Sequence, residues 1–260
     1  MSFRTDDRSA LLSAVLALCL VVACTPSGRR DAASRSTTIP GASDGQPSGQ
    51  ISPPRACEVD TLLVTMSDVR VMAREQPTPD APAVAAFDRV NAQGATQVFP
   101  LLDRATRSGR TWYRVRLPVR PNGTTGWIPS AAVQLGRTGY RIRIDLSAFH
   151  LTLFEGCERI DRFRIGIGTR DTPTPRGTFY LNSLLEPPDP DSVYGALAFG
   201  LSAYSHVITD WEGGGIIGLH GTNDPSSIGR QVSHGCIRMT NDAIRYLTRT
   251  VPLGTPVEIS

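Results

Sequence analysis

The segment that decides the fold is GLHGTNDPSSIGRQVSHGCIRM, residues 218–239. It brings one cysteine, Cys236, into a glycine-rich stretch that also carries two of the four histidines of the chain. A thiol reacts as its thiolate, and a nearby imidazole such as His220 can accept the proton. Gly221 and Gly235 carry no Cβ, so the backbone there can pass close to another molecule. The pattern predicts Cys236 as a nucleophile and His220 as its base.

The residues around this segment predict a mostly β domain over 138–260. Alternating apolar residues before it indicate strands, and Glu155-Gly156 forms a turn between two of them, which predicts a hairpin. A strand is expected at Thr178–Leu181, and another at Pro256–Ile259 near the C-terminus. The proline-rich residues 184–200 are interpreted as a long loop that acts as a lid.

One helix is predicted, after the nucleophile. Asn241 is a suitable N-cap, and Ile244, Leu247 and Val251 follow at helical spacing. The fold class is therefore mainly β with a short helix after Cys236.

A smaller β domain is predicted over 55–136. Short apolar runs separated by turn residues indicate a small barrel. The runs are TLLVT (61–65), VRVMA (69–73), TQVFPLL (96–102), WYRVRL (112–117) and GWIPSAAV (126–133). Within them, the segments 112–115 and 126–129 resemble the closing strands of a bacterial SH3-like domain, which implies wall binding or positioning. The alternative is that Trp112 and Trp127 are core aromatics.

The N-terminal residues indicate export. The apolar run 10–23 has the length of a signal-peptide core and is too short to span a bilayer. It ends at Cys24 in a pattern resembling a bacterial lipobox, so residues 1–23 are predicted to be a lipoprotein signal peptide and Cys24 to carry lipid. The alternative is an ordinary signal peptide. Residues 24–54 lack large apolar side chains and are predicted to be a disordered tether.

The cysteines limit the disulfide pattern. Of the five cysteines, Cys19 would be removed with the signal peptide. With Cys24 acylated and Cys236 free for chemistry, Cys57 and Cys157 remain and can pair outside the cytoplasm. The alternative is two unpaired buried thiols, because the sequence gives no separation for them.

Composition excludes several classes of function. The net charge of +3, without a basic block, gives no support for nucleic-acid binding. All basic residues are arginine, which excludes lysine-dependent catalysis. His220, His234 and Cys236 can each bind zinc, but no fourth ligand occurs at a standard spacing. We expect no metal and no cofactor.

HGT followed by SHGCIRM closely resembles the L,D-transpeptidases of the YkuD type, and the similarity runs from Tyr140 to Ile259 through the segment TPTPRG. The resemblance implies that Cys236 attacks an L,D peptide bond of a peptidoglycan tetrapeptide stem and forms a thioester with release of D-Ala. An amine of a neighbouring stem would then form a 3→3 cross-link. His220 would carry the proton.

The resemblance also implies the supporting roles. The backbone amides of His234, Gly235 and Cys236 would form the oxyanion hole, and Arg238 would hold a substrate carboxylate. Ser233 and Gly221 are also assigned to substrate contact. Some relatives have Ser after the base histidine, where this chain has Gly221. The group that orients His220 is therefore open between a backbone carbonyl and Ser233. Arg238 as a surface ion-pair partner, and the side chain of His234 as a structural group, are the alternatives.

Three other functions remain open. They are an L,D-carboxypeptidase, another wall cysteine peptidase on the same fold, and a catalytically dead wall-binding lipoprotein. In NlpC/P60 peptidases the cysteine precedes the histidine, which is the reverse of the order here. The expected partners are peptidoglycan stem peptides and a membrane reached through the lipid. The expected form is a monomer that faces the wall or periplasm.

Overall fold

The structure, a computed structural model, describes residues 60–189, 191–209 and 214–260. The predicted signal peptide, the acylated Cys24 and the tether 24–54 lie outside the described residues. The described residues belong to one compact unit. In these ranges, no helix has the length and apolar character that crossing a bilayer requires.

Seven strands in the N-terminal half form one sheet. They are β1 (Thr61–Met66), β2 (Arg70–Arg74), β3 (Ala83–Asp88), β4 (Val98–Arg107), β5 (Arg110–Arg116), β6 (Thr125–Pro129) and β7 (Val133–Thr138). Their order across the sheet is β3-β2-β6-β5-β4-β1-β7. Each of the five predicted apolar runs contributes to a strand, while β3, an alanine-rich segment, was not predicted. Trp112 is buried in this half, as a core aromatic would be. The SH3-like assignment stays a prediction.

Ten strands form the C-terminal half. They are β8 (Tyr140–Asp145), β9 (His150–Glu155), β10 (Glu158–Arg164), β11 (Ile167–Gly168), β12 (Gly177–Leu185), β13 (Ala198–Tyr204), β14 (Ile216–His220), β15 (Gln231–Ser233), β16 (Ile237–Arg238) and β17 (Pro256–Ile259). Eight of them form a sheet in the order β10-β9-β8-β17-β12-β13-β14-β16, and β11 pairs with β15. The predicted hairpin is β9 and β10, and Gly156 at its turn has a φ of 55°.

The single α-helix among the described residues, α1 (Asn241–Thr250), follows the nucleophile as predicted and packs Ile244 and Leu247 into the core. The predicted cap is wrong by one residue. Thr240 is the N-cap, and its hydroxyl accepts a hydrogen bond from the Ala243 N–H. The side chain of Asn241 bonds to two loops instead.

The predicted loop 184–200 is shorter in the structure. β12 continues to Leu185 and β13 begins at Ala198, and the two strands pair directly with Leu185 opposite Ala198. The prolines predicted the loop correctly, but they gave no sign that apolar residues on both sides belong to one antiparallel pair.

The two sheets share side chains. Tyr180 of β12 is fully buried, and it packs in the core of the N-terminal sheet. Asn122 bonds both backbone groups of Tyr204, at 2.8 and 2.9 Å. Arg120 donates hydrogen bonds to the carbonyls of Ser205, Ile208 and Gly214. The N-terminal half is therefore joined to the strand pair β13–β14, which carries His220.

Candidate active site

His220 is the last residue of β14, and both neighbouring strands fix its backbone. It lies opposite Ala198 of β13 and, in the parallel pair with β16, opposite Arg238. Its carbonyl accepts a hydrogen bond of 2.8 Å from the Met239 N–H. The parallel pairing explains how residues far apart in the sequence meet, because β16 begins immediately after Cys236.

The Gly221 carbonyl orients the imidazole of His220. Nδ1 lies 2.6 Å from this oxygen. A carbonyl can only accept, so Nδ1 carries the hydrogen and Nε2 keeps its lone pair. The structure thus answers the open question from the sequence in favour of a backbone carbonyl. It also gives the Gly221 carbonyl the task of orienting His220, and the predicted substrate contact of Gly221 stays a prediction.

Burial sets the protonation of His220. The residue is 3% exposed. Desolvation lowers the pKa of His220 from 6.5 to about 4, against the opposing effect of the Gly221 carbonyl, and the charge of Arg238 lowers it further. The ring is therefore neutral at physiological pH and can accept a proton.

Cys236 is partly buried and is the one free cysteine among the described residues. The Gly218 N–H donates a hydrogen bond of 3.3 Å to its Sγ. Burial raises the pKa of the Cys236 thiol, while the Gly218 N–H and Arg238 lower it. The resting pair is therefore a neutral thiol and a neutral imidazole. The thiolate and the imidazolium would form only as the thiol reacts.

Gly218 lies next to both predicted catalytic groups, and its missing side chain leaves a space between them. A Cβ built on Gly218 would lie 3.2 Å from His220 Cδ2 and 3.5 Å from Cys236 Sγ. Cδ2 is bonded to Nε2, so the basic edge of the ring and the thiol border the same small space. A side chain at position 218 would fill that space, which explains a glycine there.

The turn before Cys236 is held by buried hydroxyl groups. Ser233 Oγ donates to the Cys236 carbonyl at 2.5 Å and accepts from the Gly235 N–H at 3.1 Å. Thr174 Oγ1 donates to the Gly235 carbonyl at 2.8 Å. Gly235 has a φ of 112°, which only glycine adopts readily. Ser233 is therefore placed inside the turn, where it supports the nucleophile, and its predicted substrate contact stays a prediction.

The same turn bears on the predicted oxyanion hole. The Gly235 N–H already has Ser233 Oγ as its acceptor, which disfavours an oxyanion role for this amide. The Cys236 N–H has no hydrogen-bond acceptor among the described residues. His234 is exposed, and its predicted backbone role stays a prediction.

Arg238 lies beside both groups. Its charge acts on His220 and on Cys236, and its Nε is buried with no hydrogen-bond partner among the residues described here. A buried donor without a partner is uncommon, so a ligand oxygen would complete it. No ion pair of Arg238 occurs in the described ranges, but the pKa of the Asp224 carboxyl is lowered by its hydrogen bond with Ser226 and also by the charge of Arg238, so both alternatives for Arg238 stay predictions.

A loop covers the base. The Tyr194 ring packs edge-on against the His220 ring, with centroids 5.1 Å apart. Asn241 Oδ1 accepts hydrogen bonds from the Ala196 and Thr222 N–H groups, at 3.1 and 3.2 Å. The contact of Tyr194 was not predicted from the sequence, and Asn241 was predicted only as a helix cap. The prolines around Tyr194 were the available signal for a loop, but nothing in them identified its contact.

Two remaining predictions concern cysteine and metal. Cys157 is disulfide-bonded. Cys57, the predicted partner, lies outside the described residues, so the pairing stays a prediction. Within residues 60–189, 191–209 and 214–260, no group of three or more His, Cys, Asp or Glu side chains is arranged to hold a metal ion.

Several known proteins are similar to this chain. The family model described as the L,D-transpeptidase catalytic domain, YkuD, matches residues 139–259. A Bacillus subtilis protein named as an L,D-transpeptidase, YkuD, is 31% identical over 178 residues, which cover 68% of this chain and 92% of that protein. The YkuD protein of Bacillus licheniformis is 38% identical over 121 residues, 46% of this chain and 66% of that protein. The solved structure of Bdellovibrio bacteriovorus Bd1075 has 31% identity over 47% of each chain, with a TM-score of 0.39.

The C-terminal half is thus an L,D-transpeptidase catalytic domain, the class implied by its motif. The chain belongs to the YkuD-type L,D-transpeptidase family.

Proposed function

We propose that this chain is a peptidoglycan L,D-transpeptidase that forms 3→3 cross-links through a thioester on Cys236. The observation that carries the proposal is the shared space at Gly218, bordered by His220 Cδ2 and Cys236 Sγ. The fixed tautomer of His220 supports it, because Nε2 is left as the proton acceptor.

Acylation begins when the thiol proton moves to His220 Nε2 and Sγ attacks the carbonyl carbon before the terminal D-Ala of a tetrapeptide stem. In this proposal the Cys236 N–H donates a hydrogen bond to the developing oxyanion. The carbon–nitrogen bond then breaks, His220 returns the proton to the departing amine, and D-Ala leaves.

Deacylation uses the same groups in reverse. An amine of a neighbouring stem gives a proton to His220 and attacks the thioester carbonyl. A peptide bond forms, and Cys236 regains its proton as the sulfur leaves. Because Tyr194 packs against His220, the loop that carries it limits access of water to the base. This favours an amine acceptor over hydrolysis.

Arg238 holds a carboxylate of the stem in this proposal. Its buried Nε, without a protein partner in the described residues, is the donor that a carboxylate oxygen would satisfy. The chain acts outside the cytoplasm, anchored through lipid on Cys24 and facing the wall, with residues 24–54 as the spacer. It acts as a monomer, without metal or cofactor.

A carbapenem tests the nucleophile. Incubating the protein with a carbapenem and recording the intact mass should show one covalent adduct in wild type. Cys236→Ser should lose the adduct, and Ser226→Ala, an exposed serine near the site, should keep it. Wild-type protein without an adduct would overturn the assignment of Cys236.

Tetrapeptide muropeptides test the reaction. We expect cross-linked dimers and free D-Ala as products, separated by chromatography and identified by mass. Tripeptide without dimers would show a carboxypeptidase. Neither product, in protein that forms the carbapenem adduct, would contradict the proposed substrate.

A further inference from the structure

Asn241 joins two loops through one oxygen atom. Oδ1 accepts from the Thr222 N–H, in the loop that follows the base, and from the Ala196 N–H, in the segment 191–197 that carries Tyr194. We call residues 191–197 the covering segment. The two loops belong to different strands, β14 and β13, and Asn223 Nδ2 makes a further bond between them, to the Asp191 carbonyl at 2.7 Å.

Each loop reaches His220 by a separate contact. The loop after β14 supplies the Gly221 carbonyl to Nδ1, directly before Thr222. The covering segment supplies the Tyr194 ring, whose centroid lies 5.1 Å from that of the imidazole. One backbone hydrogen bond, of 3.1 Å from the Gly221 N–H to the Leu197 carbonyl, connects the same two stretches. Asn241 therefore lies where the two supports of the base come together.

Two glycines make room for this oxygen. A Cβ on Gly195 or on Gly221 would overlap Asn241 Oδ1. Gly195 also has a φ of 61°, but Gly221 is not in the left-handed region, so space alone requires a glycine there. Gly221 thus leaves free the space that Asn241 Oδ1 occupies.

We infer that Asn241 is a positioning residue that fixes the base His220 and the covering segment in one arrangement, and that Gly195 and Gly221 are its required partners. It touches neither the thiol nor a substrate. Its position at the start of α1, one residue after the N-cap Thr240, makes the helix the rigid support for both loops.

This inference rests on the proposed roles of His220 and Cys236, so the test uses a reaction that needs no wall substrate. The rate of Cys236 alkylation by iodoacetamide is measured against pH in the full chain. With His220 in place, the base assists the thiol and the rate persists below the thiol pKa. Without correct positioning, the rate follows thiol ionisation alone.

Asn241→Ala should lower the alkylation rate at neutral pH by about tenfold and move the profile to higher pH, since both amide contacts are lost. Asn241→Asp keeps an acceptor oxygen and should stay within about threefold of wild type. Asn91→Ala is the matched control. Asn91 Oδ1 also accepts from two backbone amides, Gln93 and Ala95, but in the loop between β3 and β4, where its Nδ2 donates to the Asn182 carbonyl of β12. It should lower stability without changing the profile.

Gly221→Ala tests the same contact by a change in the loop instead of in Asn241. The new methyl group would displace Asn241 Oδ1 while the asparagine remains, so its pH profile should move as that of Asn241→Ala does. If Asn241→Ala is too unstable to measure, Gly221→Ala tests whether Asn241 positions His220. A wild-type pH profile in a folded Asn241→Ala or Gly221→Ala protein would overturn the inference. Wild-type protein that alkylates with base assistance but forms no carbapenem adduct would instead count against the proposed function.

Discussion

His220 is an unusual base because its environment opposes its charge. The ring is buried, its Nδ1 is committed to Gly221, and Arg238 lies across the strand pair. All protonation must therefore occur at Nε2, next to the thiol. Burial lowers the affinity of His220 for a proton. As a result, the base is unprotonated when substrate binds.

The acid limb of the reaction reports this burial. The pKa of His220 is lowered to about 4, so we expect the rate of carbapenem acylation to fall on acidification with a midpoint near 4 rather than near 6.5. The sign follows because only the neutral ring accepts the thiol proton, and neutral ring is lost as pH falls through the folded pKa. Stopped-flow acylation rates from about pH 3 to about pH 8 would measure this midpoint.

His206→Gln provides the control for that profile. His206 is exposed, and its removal should leave the acid limb unchanged. An acid limb near 6.5 in wild type would mean that water reaches the imidazole in solution.

At the scale of elements, the segment Thr172–Pro175 supports the nucleophile turn. Thr174 Oγ1 accepts from the Gly168 N–H at 2.9 Å and donates to the Gly235 carbonyl at 2.8 Å, and it is buried. One hydroxyl therefore connects β11 to the turn before Cys236. The prolines on both sides of Thr174 restrict the backbone that presents it.

Thr174→Val should test this connection. The substitution keeps the volume but leaves a buried amide and a buried carbonyl without partners. We expect a loss of about 1–3 kcal/mol in the free energy of unfolding by urea, together with slower acylation by a carbapenem.

The matched control is Thr178→Val on the exposed face of β12, which should change neither quantity measurably. Unchanged stability in Thr174→Val would show that water or a shifted backbone satisfies both groups.

The elements also show what a sequence can and cannot supply. Local patterns predicted the β9–β10 hairpin and α1, because alternation, turn glycines and helical spacing are local properties. They failed at Asn241, which has the chemistry of a cap but bonds the Ala196 and Thr222 amides instead. They also failed at the ends of the loop 184–200, where strand pairing between β12 and β13 decided the boundary.

The candidate site divides in the same way. His220 and Cys236 were predicted from residue type and motif resemblance. The acceptor for Nδ1, the Tyr194 contact and the support from Thr174 depend on which strands are neighbours, and sequence spacing does not contain that information.

At the scale of the whole molecule, the N-terminal sheet supports the strand pair that carries the base. The Arg120 guanidinium donates to the carbonyls of Ser205 and Gly214 at 2.7 and 2.9 Å, and it lies 4.9 Å from the centre of the Tyr204 ring. These residues connect β13 to β14, which ends at His220.

Arg120→Ala should therefore affect the candidate active site, although Arg120 is not one of its residues. We expect unfolding free energy to fall by about 1–2 kcal/mol, because charge-assisted bonds to carbonyls are lost at a partly exposed position. The acylation rate should also decrease, because the β13–β14 connection loses its support. Urea unfolding and adduct formation measure the two effects.

Arg104→Ala removes an exposed arginine of β4 from the same sheet and should change neither measurement. A normal acylation rate in a destabilised Arg120→Ala protein would limit the N-terminal sheet to a role in stability.

Tyr180 carries a consequence for the ancestry of the protein. Its ring originates in one half of the chain and is enclosed by the other. Transplanting the catalytic half beside an unrelated partner would leave a large aromatic group facing water, with nothing to enclose it. Recombination at the junction is thus penalised, and the two halves are expected to be inherited together and to diverge as a pair.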